Sequence, residues 1–402
     1  MHTYKRIVFL CLVMAFGFCG HFVSAKECKS PSVFDPNYNI KPRRSLAEGL
    51  NVVRGETQVI IPEHKSYCPV ASVFKFNNGD IQVLNRRSSN GGESWHLVDC
   101  NINTSAYQYP EPNGEVVMFS GELAEVRPEV IVKKAEQRSV YEVNFLRSKN
   151  NGLTYTKDTA IINLPKKYED YSRALCGKIV GLADGGLLMS MYCYEYLDDG
   201  KGKKVEGKSR TIIIHSTDRG KTWNYLSTVA FDLIPRVTDE RVQTGLPTLR
   251  HWGFEEPCLL AAPNGRIFCF MRSGSGYRLS LSDFNKETPL YMSISNDGGK
   301  SWSNADAVAP FGVWPGAVMM KNGVMVVNYG RPGNWLMASK DEGKSWGPIF
   351  CFYQDLYPPD CGNYFTMAEV AEDTLLVVYA RTNPNDSWLN EIVGTYFFVK
   401  RI

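Results

Sequence analysis

The chain has 402 residues, 44% hydrophobic and 12% aromatic, with 34 Gly, 21 Pro and a formal net charge of +3. That composition excludes disorder and an all-helical chain, and the small charge excludes strong electrostatic steering to nucleic acid or to a membrane surface. What remains is a turn-rich globular protein whose length suits one large all-β domain.

The first 25 residues carry Lys5 and Arg6, an apolar run from Ile7 to Phe18 and a small-residue end at Val23-Ser24-Ala25, the pattern of a cleavable signal peptide. The run is short for a membrane span, which needs about 20 residues. Residues 26–402 are therefore expected to be secreted or periplasmic, with no membrane span. Cys11 and Cys19 leave with the signal, and the nine Cys that remain show none of the paired short spacings of a zinc site. No metal or cofactor is expected.

A strand is expected from Val52 to Ile61. After it, an apolar strand, a tight turn and a second apolar strand recur six times: VFKFNNGDIQVLN around Gly79, YPEPNGEVVMF around Gly114, KIVGLADGGLLMSMY around Gly185, LLAAPNGRIFCFM around Gly265, AVMMKNGVMVVNY around Gly323 and MAEVAEDTLLVVY around Asp373. Asn-Gly and Asp-Gly between such runs are strong hairpin signals. If Asp184-Gly185 is a two-residue turn, Cys176 faces Cys193 as a non-hydrogen-bonded pair, which predicts a disulfide. The charged stretch from Asp198 to Lys208 reads as an inserted loop.

A second motif, Ser-x-Asp-x-Gly-x-Ser/Thr-Trp, stands at STDRGKTW from Ser216, SNDGGKSW from Ser295 and SKDEGKSW from Ser339, with SKNNGLTY from Ser148 a degenerate copy. It resembles the Asp box, or BNR repeat, of the sialidase-like propellers. Its chemistry is architectural: the Asp accepts from turn amides, the Gly permits positive φ and the Trp supplies buried area. SSNGGESW from Ser88 looks similar, but it directly follows the second strand of a hairpin, so Asn90-Gly91-Gly92 reads as a plain turn. Hairpins and boxes together predict a six-bladed β-propeller over residues 26–402, with the Val52–Ile61 strand completing the last blade and removing the sheet edges.

Antiparallel strands put the Gly turns and boxes at one end of the blades. The other end collects Arg86, Arg87, Arg173, Tyr192 to Glu195, Glu255, Glu256, Arg272, Trp314, Arg331, Tyr364 and Arg381, with His251 near the mouth of the fourth blade. Several Arg near one axis repel unless they face an anion, so a carboxylate-, sulfate- or phosphate-bearing ligand is the natural partner, and the resemblance makes it a glycan with an acidic group. The segments GFEEPCLLAAPNGRIFCFMRSG, YGRPGNWLMASKDEGKSW and GNYFTMAEVAEDTLLVVY resemble sialidase segments. The resemblance implies Tyr364 as nucleophile and Glu256 as its base, with Arg272 and Arg331 holding a substrate carboxylate; Arg86, Arg87, Arg173, Trp314 and His251 are further expected substrate contacts. A phenol activated by a Glu suits a sugar whose own carboxylate would repel a carboxylate nucleophile.

Two departures stand beside this. Where sialidases carry a first Arg, this chain reads SYCPVASVF with Cys68 or Pro69, and where their acid Asp is expected stand Asn85 and Arg86. His64, Glu63 and Glu255 are the candidate acids. The leading expectation is an exo-glycosidase releasing a terminal acidic, sialic-acid-like sugar, acting as a monomer. A lyase or other glycosidase acting on uronate-containing glycans, with His251 available, and a non-catalytic glycan-binding propeller are the alternatives. Asn103-Thr104-Ser105 and Asn385-Asp386-Ser387 fit the N-glycosylation pattern.

Overall fold

The computed structural model describes residues 49–66, 72–98, 108–119, 131–135, 138–165, 172–198, 204–231, 252–273, 289–309, 312–330, 333–353, 364–383 and 386–402. The signal segment, Cys68, Pro69, His251, Arg331 and the glycosylation sites Asn103 and Asn385 lie outside them. Regular structure among the described residues is all β.

After β1 (Leu50–Lys65), antiparallel pairing gathers the strands into successive units. The first holds β2 (Val73–Lys75), β3 (Ile81–Val83), β4 (Arg86–Ser88) and β5 (His96–Leu97). The second holds β6 (Gln108–Pro110), β7 (Val116–Phe119), β9 (Arg138–Ser148) and β10 (Thr156–Pro165), with β8 (Ile131–Ala135) on β9. In the third are β11 (Ser172–Gly181), β12 (Leu187–Asp198), β13 (Lys204–Ser216) and β14 (Thr222–Ala230). The fourth follows with β15 (Trp252–Ala261), β16 (Ile267–Ser273), β17 (Leu290–Ser295) and β18 (Asp306–Ala309). The fifth has β19 (Val313–Met319), β20 (Met325–Gly330), β21 (Asn334–Ser339) and β22 (Ile349–Tyr353). Last come β23 (Thr366–Ala371), β24 (Thr374–Asn383) and β25 (Asp386–Arg401), onto which β1 pairs. Short parallel pairings, β10 with β14 and β13 with β15, fuse the second to fourth units into one sheet.

Strands such as β20 and β21 are buried at every residue, which suits their mostly apolar sequences, because the fifth unit packs against a neighbour on either side. Phe119 and Phe145 pack with Ile212 and Trp223, Leu188 and Ile213 with Phe254 and Leu259, and Phe270 and Met292 with Met325 and Met337. Val326 and Leu336 then pack with Met367 and Val377, and Ile81 and Val83 with Leu376 and Val378. The first unit therefore leans on the sixth. It also meets the second, where Asn77 Nδ2 donates to the Glu111 carbonyl oxygen at 2.5 Å.

The box motif forms a closed hydrogen-bond ring. At Ser295 the hydroxyl accepts from Gly299 N at 2.8 Å and donates to Asp297 Oδ1 at 2.8 Å, and Asp297 Oδ1 accepts from Ser301 N at 2.9 Å. Ser216 and Ser339 repeat it, and so does the degenerate Ser148 copy with Asn150 in the Asp position. Ser88 does too: Gly92 N donates to its hydroxyl at 2.9 Å and Ser94 N to Asn90 Oδ1 at 3.1 Å. This corrects the plain-turn reading. Leu84 and Asn85 turn the chain between β3 and β4, so two three-residue strands stand where one was read, and the box follows the third strand as elsewhere.

Two hairpin expectations are also corrected. The turn of the third unit is wider than two residues, since Leu182 N donates to the Gly186 carbonyl oxygen and Gly185 N to that of Leu182. With a further register shift between Cys176 and Val180, Cys193 sits opposite Arg173 and Cys176 opposite Ser190, so the register that suggested a Cys176–Cys193 disulfide is not the one formed. Of the charged stretch Asp198 to Lys208, Asp198 and Lys204–Lys208 belong to the β12–β13 hairpin, with Leu197 opposite Val205 and Asp198 opposite Lys204, where a loop was expected.

Candidate functional site

The first strands β15 and β19 begin at the end of the units opposite the turns and boxes. Both are irregular there, with register shifts between Glu255 and Cys258 and between Val313 and Gly316. Glu256 has φ +47° and Trp314 φ +50°, left-handed conformations that bulky residues avoid unless their surroundings impose them. The kinks aim the two residues at each other. Glu256 Oε2 accepts from Trp314 N at 2.9 Å, and Glu256 Oε1 accepts from Arg272 Nη1 at 2.9 Å.

Arg272 arrives from β16 directly opposite Glu255, whose Oε1 stands 4.0 Å from Arg272 Nε. Both carboxylates are buried, Glu255 5% and Glu256 8% exposed. The Trp314 ring meets that of Tyr364 edge to face, centroids 4.7 Å apart and planes at 82°. Glu256, Arg272, Trp314 and Tyr364 thus form one cluster drawn from three units. Trp314 links the cluster, its amide on the Glu256 carboxylate and its ring on that of Tyr364. An aromatic wall beside a fixed carboxylate and a guanidinium is suited to a sugar ring bearing an anion.

Other expected contacts are placed elsewhere. Arg87 is 1% exposed, ion-paired with Asp80 at 2.7 Å, lying over Phe76 at 4.3 Å and donating to the Asn151 carbonyl oxygen at 2.8 Å. It fastens the first unit to the box of the second, which corrects its assignment to the site. Arg86 is half-buried beside the Leu84-Asn85 turn. Arg381 is paired with Glu391 at 2.6 Å. Arg173 lies on β11 opposite Cys193.

Of the candidate acids, Glu63 is an exposed surface partner of Lys65, and His64, whose imidazole burial pushes down, is on β1, the strand furthest from β23 in its unit. Glu255 adjoins Arg272. The sequence reading overlooked Lys178, whose ammonium donates to the Ala317 carbonyl oxygen at 3.5 Å. Its signal was a charge at the head of the apolar strand segment KIVGLA.

A family model described as BNR repeat-like domain matches residues 77–359. No curated protein matches the chain. Among solved structures, one similar to it is a protein of unknown function from Dyadobacter fermentans, at 16% identity and TM-score 0.58, covering 88% of this chain and 100% of that one. A NanB sialidase variant from Streptococcus pneumoniae is similar at 12% identity and TM-score 0.52, covering 86% of this chain and 70% of that one. So is an α-L-arabinofuranosidase from Fusarium graminearum, at 13% identity and TM-score 0.52, covering 85% and 98%. At such identities the likeness is one of fold.

Proposed function

The chain belongs to the BNR repeat-like domain family of sialidase-like proteins, and from that membership we propose an exported, six-bladed propeller enzyme that hydrolyses a terminal acidic, sialic-acid-like sugar from glycans. One observation carries the reading. The Glu256 carboxylate is clamped between Arg272 and the Trp314 amide, within a cluster that includes the Tyr364 ring.

In this reading the Tyr364 oxygen attacks the anomeric carbon while its proton passes to Glu256, and water later cleaves the tyrosyl glycoside. Arg272 meets the substrate carboxylate. Arg331 joins it on the strength of the sequence resemblance. Glu255, which adjoins the guanidinium, is the candidate donor to the leaving oxygen.

Purified protein assayed on sialosides, ulosonic-acid glycosides and uronic-acid glycosides is expected to release a free acidic sugar from at least one. Cleavage of an aryl α-L-arabinofuranoside alone would shift the assignment to a neutral-sugar glycosidase. An unsaturated, ultraviolet-absorbing product from a uronan would mark a lyase, and binding without turnover a lectin-like propeller.

A further inference from the structure

We propose that Lys178 recognises the anionic group of the sugar, its ammonium meeting the substrate carboxylate at the floor of the cluster below Glu256; this rests on the acidic-sugar reading above. Lys178 stands on β11, the first strand of the third unit, yet its ammonium reaches the Ala317 carbonyl on β19, the first strand of the fifth. To do so it passes β15 between them, where Cys258 lies within electrostatic range. The side chain therefore crosses under the strand that carries Glu256. Cys258 is two residues beyond Glu256 and Ala317 three beyond Trp314, which at no more than about 3.3 Å per residue sets the ammonium at most roughly 7–10 Å along the strands from the Glu256–Trp314 contact.

Charge balance gives this position a purpose. Among the described residues the Arg272 guanidinium is already engaged by Glu256 and adjoins Glu255. An incoming carboxylate must share that guanidinium with Glu256, and a further cation nearby would strengthen its hold. Lys178 is such a cation, and among the described residues no carboxylate pairs with it.

Its single described acceptor is a carbonyl at 3.5 Å, the long limit of a hydrogen bond, for a group with three donors. Desolvation of its ammonium end pulls the proton affinity down and pushes the neighbouring Cys258 thiol up, so a charge held there without a counter-ion is costly. A carboxylate ligand would repay that cost. A lysine kept only for the fold would be expected to have better partners.

The full-length chain can be titrated calorimetrically with N-acetylneuraminate, glucuronate and galacturonate, and with neutral N-acetylmannosamine, as wild type, Lys178→Met and Lys178→Arg. Losing one charged hydrogen bond is expected to weaken binding of the acidic sugar by about 10- to 100-fold in Lys178→Met. Lys178→Arg should bind close to wild type. The melting temperature of Lys178→Met should not fall, since replacing an unpaired buried charge with an apolar side chain is neutral or stabilising.

Wild-type affinity for the acidic sugar in Lys178→Met would overturn the assignment while leaving the acidic-sugar reading intact. A lowered melting temperature at unchanged affinity would make the residue structural. Failure of wild type to bind any of the acidic sugars would sink the acidic-sugar reading, and Lys178 with it.

Discussion

Glu256 combines in one residue a left-handed backbone, burial, and both carboxylate oxygens already in use. On the proposed mechanism, Glu256→Gln keeps the shape but removes the base, and Tyr364→Phe removes the nucleophile. Each is expected to lower kcat on a released-sugar assay by about 100- to 10,000-fold with an unchanged circular dichroism spectrum. Asp297 supplies a different residue-scale expectation. Hydrogen bonds from the Ser301 hydroxyl and amide and the Ser295 hydroxyl hold its carboxyl down to about 2. A carboxyl lower in the folded than in the unfolded chain contributes stability above about pH 4, the unfolded value, and loses it as pH falls toward about 2. Asp297→Asn, which keeps an acceptor as Asn90 and Asn150 do, should narrow its melting-temperature gap from wild type between pH 6 and pH 2.

The box is the element whose glycine does the most. Gly220 has φ +80°, and a Cβ there would stand 2.6 Å from Phe145 Cζ of the preceding unit, whereas Gly265, with φ +84°, has open space in that direction. Gly220→Ala therefore combines strain with a clash and is expected to cost about 2–4 kcal/mol in urea unfolding, against about 1 kcal/mol for Gly265→Ala. Hairpins of this kind were legible because Asn-Gly and Asp-Gly announce them. The Ser88 box was misread because β3 and β4 have three residues each and turn at Leu84, which adopts φ +49° without the usual turn chemistry. The same miscount sent Arg87 to the wrong end of its unit. Glu256, Arg272 and Tyr364 were legible from strand order; the kink that brings Trp314 N onto Glu256, and the passage of Lys178 beneath β15, depend on neighbouring strands that no local pattern reports.

At the scale of the molecule, pairing of β1 with β25 joins residues near the beginning of the described chain to those at its end, as the expected Val52–Ile61 strand foresaw with narrower bounds. Removing residues 1–65 leaves β25 an unpaired edge. Concentration-dependent self-association, measured by light scattering, is the expected result, and a monodisperse truncated chain would count against that role for β1.

The box glycines also give the architecture a direction in time. Gly152 is crowded by Phe76, Gly220 by Phe145, Gly299 by Leu188 and Gly343 by Met292, so each of these boxes beds against a unit already synthesised. Gly92 alone points forward, to Tyr396, six residues from the carboxyl end of the chain. On the ribosome the middle units can therefore dock in the order they emerge, while the first must wait with an unfilled partner face until the strand that carries Tyr396 has been made.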